Sequence, residues 1–185
     1  MRAILVIDVQ ESFRARADEW ARVSAPDVAD RVQRVVDHGR DAGDAVVWVL
    51  HAEPGSGGPF DPALGHVRLQ QGLDARADDV HVAKRVHNAF TGTDLDARLR
   101  ELGVDELVVT GIRTEQCCET TARVASDLGY RVTFVLDATA THPHAAWDGG
   151  VISAADIQRA TASALQGRFA TVTTIDALVA EPTDH

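Results

Sequence analysis

The sequence has few cysteines. Only two occur in 185 residues, and they are neighbours, Cys117 and Cys118. That scarcity excludes the disulfide framework of a small secreted domain. Adjacency gives neither an unstrained disulfide nor the usual spacing of zinc ligands. Long apolar runs are also missing: no stretch approaches the roughly 18 residues a membrane-spanning helix needs. The first segment, MRAILVIDVQ, lacks the long apolar region and small-residue cleavage site of a secretory signal, so the expected location is the cytoplasm. Positive charge is in deficit. Eighteen Lys and Arg face 28 Asp and Glu, for a formal net charge of −10. That balance argues against nucleic acid or an anionic membrane surface as the main partner. No GxGxxG or GxxxxGK follows any apolar run, which disfavours a nucleotide-binding protein.

What is present is globular. The chain is 45% hydrophobic and 25% charged, enough to close one core. There is no linker, repeat or low-complexity tract, so one domain over 1–185 is expected. Short β-branched runs alternate with amphipathic stretches. AILVIDV (3–9), DAVVWVLHAEP (44–54), HVAKRV (81–86), DELVVTGI (105–112), RVTFVLDA (131–138) and FATVTT (169–174) read as six strands. Val28, Val32, Val35 and Val36 recur at helical spacing, with Ser24 or Asp27 as candidate caps and Gly43 as the stop. Leu95, Leu99 and Leu102 mark a second helix, residues 114–129 a third, and 153–167 a fourth with Ser153 as cap. A short terminal helix follows. Strand and helix in alternation predict an α/β fold: a three-layer, Rossmann-like α/β/α arrangement on a mainly parallel, about six-stranded sheet. Ligands in such folds bind at the carboxyl ends of the strands. The long loops 51–66 and 141–150 both follow strands and can rim that edge.

Three reactive side chains fall at this edge: Asp8 at the end of the first strand, Lys84 in the third, and Cys117 just past the fourth. Each has two readings. Cys117 is a small buried hydrophobe, or a nucleophile whose ionisation is helped by a helix N-terminus capped by Thr114 and by a nearby cation. Asp8 closes a turn, or accepts and returns a proton. Lys84 reaches solvent from a strand edge, or lowers the pKa of the thiol and keeps Asp8 ionised. Cys118 points about 100° away from Cys117 round a helix and reads as packing.

The blocks ILVIDVQESF, VAKRVHNAFTGTDLDARL and VVTGIRTEQCCETTARVASDLGYRVTFVLDATATH, followed by ISAADIQRATASALQGRFATV, resemble in order and spacing the isochorismatase-like cysteine hydrolases. The likeness spans nearly the whole chain. It implies a catalytic triad of Asp8, Lys84 and Cys117. It also implies a cis peptide at Ile112–Arg113 and an oxyanion hole made by the amides of Arg113 and Cys117. Cys118 stands where members usually carry Val, and Gln158 where many carry His. Nicotinamidases of the family bind a metal through an Asp-x-His. Here the matching residues are Val49, Leu50 and His51, so no metal and no cofactor is expected. An accidental site of His51 with His142 or His144 is the remaining metal alternative. Members acting on isochorismate lack the cysteine, which argues against that reaction.

The activity implied is cysteine-dependent hydrolysis of a small linear amide, carbamoyl or ureido C–N bond. Expected substrate-binding residues are Phe13, Trp48, His51, Phe60, Asn88 and Trp147, with Arg14, Arg85 or Arg113 available for a substrate carboxylate. The alternatives are an idle or thiol-sensing member of the scaffold and a metal-assisted nicotinamidase. The resemblance also implies a homodimer or homotetramer; the acidic charge balance, not the resemblance, is what argues against nucleic acid or a membrane as partner.

Overall fold

A computed structural model describes residues 1–180. Its central sheet has six parallel strands in the order β3-β2-β1-β4-β5-β8. They are β1 (Arg2–Ile7), β2 (Ala45–His51), β3 (Val80–Lys84), β4 (Glu106–Ile112), β5 (Arg131–Ala140) and β8 (Thr171–Thr173). The order runs outward from β1 in one direction and from β4 in the other. The topological switch point therefore lies between β1 and β4, where an open α/β sheet forms its crevice.

Side-chain alternation along the strands sorts the core into two halves. Ala3, Leu5 and Ile7 of β1 face one side, with Val47 and Val49 of β2. Ile4 and Val6 face the other, with Val46 and Trp48. The first side is covered by α4 (Leu95–Glu101), α5 (Glu119–Asp127) and α6 (Ala154–Leu165). Leu95, Leu99, Ala122, Ala125 and Leu165 pack there. The second is covered by α3 (Val28–Asp41) and α7 (Ile175–Ala180). The valines at 28, 32, 35 and 36 form the buried stripe of α3, as their spacing predicts.

The structure adds elements that periodicity missed. Two four-residue helices, α1 (Glu11–Arg14) and α2 (Ala17–Trp20), follow β1. They are too short to show a helical repeat. The loop after β5 carries a small antiparallel hairpin of β6 (His144–Ala145) and β7 (Val151–Ile152). Caps also differ. Ser153 caps α6 through Asp156 N–H, but Asp27 makes no side-chain cap on α3 and bonds Arg31 instead. The Ser24 hydroxyl accepts from the Thr141 amide, tying the entry of α3 to the end of β5.

Gly111 has no tolerable substitute. Its φ is +131°, and a Cβ there would lie 2.0 Å from the carbonyl oxygen of Ile7. Only glycine permits both the conformation and the approach. That approach lets the ends of β1 and β4 meet closely at the switch point.

Candidate active site

β1 ends at Ile7, and Asp8 turns out of the strand with φ +55°. Asp is among the few non-glycine residues that adopt this region readily. Its N–H donates to Val49 O at 2.8 Å, so β2 fixes the turn. Lys84, the last residue of β3, crosses toward it. Lys84 Nζ lies 2.6 Å from Asp8 Oδ2, and both side chains are fully buried. Neither carboxylate oxygen meets hydrogen-bond geometry, so this contact is an ion pair rather than an aligned hydrogen bond. The Lys84 ammonium also donates to Val86 O at 3.1 Å and points at Cys117 Sγ at 3.5 Å. Three distant segments thus bring Asp8, Lys84 and Cys117 to one point at the carboxyl edge of the sheet.

Cys117 does not sit in the first turn of an ordinary α-helix. Residues Thr114–Cys118 form one π turn that leads into α5. Such turns recur at functional sites because they re-aim one side chain without breaking the helix. Gln116 N–H and Cys118 N–H both donate to Arg113 O at 3.2 Å. Thr114 is not the cap: its buried hydroxyl bonds the Thr139 hydroxyl at 2.8 Å. The Ile112–Arg113 peptide is cis. Cys118 is wholly buried in the core beneath.

The electrostatics correct one expectation. Lys84 was expected to bring the Cys117 thiol below its ordinary pKa. Burial raises it instead, with the Asp8 charge adding to the rise, up to about 12. Lys84 acts in the expected direction but is outweighed by burial and by the Asp8 charge. Asp8 itself is raised by burial, against the opposing pull of Lys84 and of the Cys117 thiol. The resting site therefore holds a neutral thiol beside a carboxylate with greater than ordinary affinity for a proton.

The aromatic rim is partly as expected. His51, Phe60 and Phe13 form a continuous wall. The Phe13 and Phe60 rings meet edge to face at 5.1 Å, and His51 and Phe60 at 5.4 Å. Arg16 stacks on Phe60 at 4.9 Å. His51 Nδ1 is 3.5 Å from Lys84 Nζ, so this wall adjoins the triad. Three other residues are not brought to it. Trp48 belongs to the opposite face of the sheet, and its indole N–H donates to Asp79. Asn88 spends its side chain on a local turn, accepting from Phe90 N and Thr91 N. Trp147, on the tip of the hairpin, is 97% exposed. Of the arginines, Arg113 is engaged by Gln116 and by His142, Arg14 lies over the Trp20 ring, and Arg85 is exposed.

Sequence reasoning passed over Gln10. It is completely buried. Its amide accepts from His51 N at 2.8 Å and donates to His51 O at 3.0 Å, clamping the main chain of His51. A polar residue closing an apolar strand was the available signal. A second signal was numerical: Lys84 is the only lysine in the chain, and it is buried.

The residues do not fit the Asp-x-His metal site. Val49 occupies the acid position and is buried in the core. Both nitrogens of His51 are engaged, Nε2 with Glu53 Oε1 at 3.0 Å and Nδ1 with Lys84. His142 and His144 face Glu19 and Glu115. Gln158 donates to Thr139 O at 3.3 Å, bracing the end of β5.

The isochorismatase domain model matches residues 2–177. The chain belongs to the isochorismatase family. Among solved structures, a cysteine hydrolase from Pseudomonas syringae pv. phaseolicola 1448A superposes with a TM-score of 0.85 at 29% identity, over 96% of this chain and 90% of that one. A streptothricin hydrolase of Streptomyces noursei is 33% identical over 171 residues, 92% of this chain and 58% of that protein. Nicotinamidase 3 of Arabidopsis thaliana is 33% identical over 155 residues, 75% of this chain and 73% of its own length. The family's α/β/α architecture is the one described above.

Proposed function

We propose that this isochorismatase-family protein hydrolyses a small linear amide, carbamoyl or ureido C–N bond through Cys117. The observation that carries the reading is the buried contact of Lys84 with both Asp8, at 2.6 Å, and Cys117, at 3.5 Å. A lysine buried for packing alone would carry an unrecovered desolvation cost.

Asp8, raised by burial, takes the Cys117 proton as Sγ attacks the carbonyl carbon. Lys84 stays charged and stabilises the forming thiolate. The amides of Arg113 and Cys117 are assigned to the oxyanion. Asp8 then returns the proton to the departing amine or ammonia, leaving a thioester on Cys117. Water, deprotonated by Asp8, cleaves the thioester and restores the thiol. Phe13, His51 and Phe60 supply a wall suited to a small flat group. The names of two relatives, a nicotinamidase and a streptothricin hydrolase, support a C–N bond as the target.

The test is ammonia or amine release from a panel of small amides, N-carbamoyl acids and ureido acids. Wild type is expected to turn over at least one class, and Cys117→Ala, Asp8→Asn and Lys84→Met are expected to be inert. Turnover by Cys117→Ala would overturn the reading. A chain inert to the whole panel, with Cys117 reversibly oxidised by dilute peroxide, would favour a thiol sensor.

A further inference from the structure

β5 does not run evenly beside β4. Val109 pairs with Phe134, but Gly111 pairs with Thr139. The step is two residues on β4 and five on β5, so β5 bulges between Phe134 and Thr139. Bulges re-aim side chains beside active sites. This one delivers Thr139 to the edge of the candidate site, where three contacts hold it. Its main chain pairs with Gly111. Its carbonyl accepts from Gln158 Nε2 at 3.3 Å. Its hydroxyl donates to Leu136 O at 2.8 Å, across the bulge.

That last bond fixes the direction of the next one. A threonine hydroxyl has one proton, and a carbonyl oxygen only accepts. With the Thr139 proton on Leu136 O, the 2.8 Å bond between the two hydroxyls must be donated by Thr114. Both residues are buried, so no solvent competes. Thr114 opens the π turn that carries Cys117. Two residues earlier, Ile112 pairs with Ala140. Arg113 therefore lies between two anchors on neighbouring residues of β5, the ladder at Ile112 and the hydroxyl at Thr114. Its carbonyl in turn receives Gln116 N–H and Cys118 N–H, both at 3.2 Å.

We propose that Thr139 is a positioning residue: as the fixed acceptor of the Thr114 hydroxyl, it sets the orientation of the Arg113 amide and of the turn that presents Cys117. It acts through Thr114. The proposal rests on the reading of Cys117 as nucleophile. No proton or covalent bond moves along the chain of hydroxyls; its work is geometric. An oxyanion donor and a nucleophile are both sensitive to aim, and a misplacement of about 1 Å costs on the order of a hundredfold in rate. Thr139 suits the task because its own place is set by β4, by α6 and by its own strand.

Thr139→Val keeps the shape, removes the acceptor and strands the Thr114 proton. Thr139→Ser keeps the hydroxyl. Turnover of the best panel substrate is measured per folded molecule, with the folded fraction read from tryptophan fluorescence. Thr139→Val is expected to lower kcat by roughly tenfold to a hundredfold, with KM within about twofold of wild type, because the lost aim is felt in the transition state. Thr139→Ser is expected to keep most of the wild-type kcat. A kcat for Thr139→Val within about threefold of wild type, or a rise in KM alone, overturns the proposal. Thr114→Val combined with Thr139→Val should lose no more than Thr139→Val alone, since the two hydroxyls act as one unit; losses that multiply overturn it. Neutron diffraction on wild type needs neither turnover nor a variant that folds. Deuterium should lie on Thr114 Oγ1 pointing at Thr139 Oγ1, and on Thr139 Oγ1 pointing at Leu136 O. The opposite order, Thr139 donating to Thr114, overturns the proposal. Failure of the hydrolase reading would appear separately, as turnover retained by Cys117→Ala.

Discussion

Lys84 Nζ and Asp8 Oδ2 are 2.6 Å apart with neither side chain reaching solvent. A buried pair of this kind is weak evidence of stabilisation but costly to break, because the surviving charge has no partner. Lys84→Met should destabilise the chain by about 3–5 kcal/mol in urea unfolding at pH 8. The cost should shrink at lower pH. A carboxyl raised by burial contributes stability fully below its ordinary value near 3.8 and loses it as pH rises through the raised value. Asp8→Asn in the same chain should restore part of the loss. Equal cost at pH 5 and pH 8 would contradict this picture of Asp8.

The resting thiol is expected to be unreactive at neutral pH. With Cys117 pushed up to about 12 by burial and by Asp8, its alkylation rate should still be climbing at pH 10.5. An unperturbed thiol, with its pKa near 8.5, would already have levelled off by about pH 10. A plateau below pH 9 would show a preformed thiolate.

Alkaline pH should also erode stability. Cys117 and Cys118 both have pKa values raised above the ordinary thiol value. Their contribution is therefore whole below about 9 and is lost as pH rises through the folded values. Cys118→Ala should flatten the fall of unfolding free energy between pH 8 and 10. An unchanged slope would mean that Cys118 ionises as easily in the folded chain as in the unfolded one.

How much of this was legible beforehand divides by period. The β-branched runs and the valine stripe of α3 have clear repeats, and the sheet and helices follow them. The four-residue helices α1 and α2 and the π turn at Thr114–Cys118 have no repeat to detect. The convergence of Asp8, Lys84 and Cys117 was legible, because parallel strands deliver their carboxyl ends, and the turns that follow them, to one edge. The rim was harder. Trp48 and His51 are three apart on β2, so alternation places them on opposite faces; that parity was available in the sequence and excludes Trp48 from the wall. The thiol's raised pKa was not legible, since it depends on how deeply Cys117 is buried and on Asp8 lying beside it.

Gly111→Ala should fail to fold or lose several kcal/mol, because a Cβ would sit 2.0 Å from Ile7 O at φ +131°. Circular dichroism and thermal melting check this. A variant melting near wild type would mean that β1 and β4 can separate at the switch point.

Turnover should be independent of metal. Val49 stands where a ligand carboxylate would be needed, and His51 is committed to Glu53 and Lys84. Dialysis against a chelator should leave the rate unchanged, and added zinc should not raise it. Loss on chelation with recovery on zinc would place a metal in the reaction.

The most direct measurement is the mass of Cys117 during turnover. Protein quenched in acid while consuming a panel substrate is digested, and the peptide carrying Cys117 is weighed, in wild type and in Asp8→Asn. An acyl adduct on Cys117 is expected in wild type and not in Asp8→Asn, which lacks the base that frees the thiolate. Turnover with no adduct on Cys117, undiminished in Cys117→Ala, would contradict it.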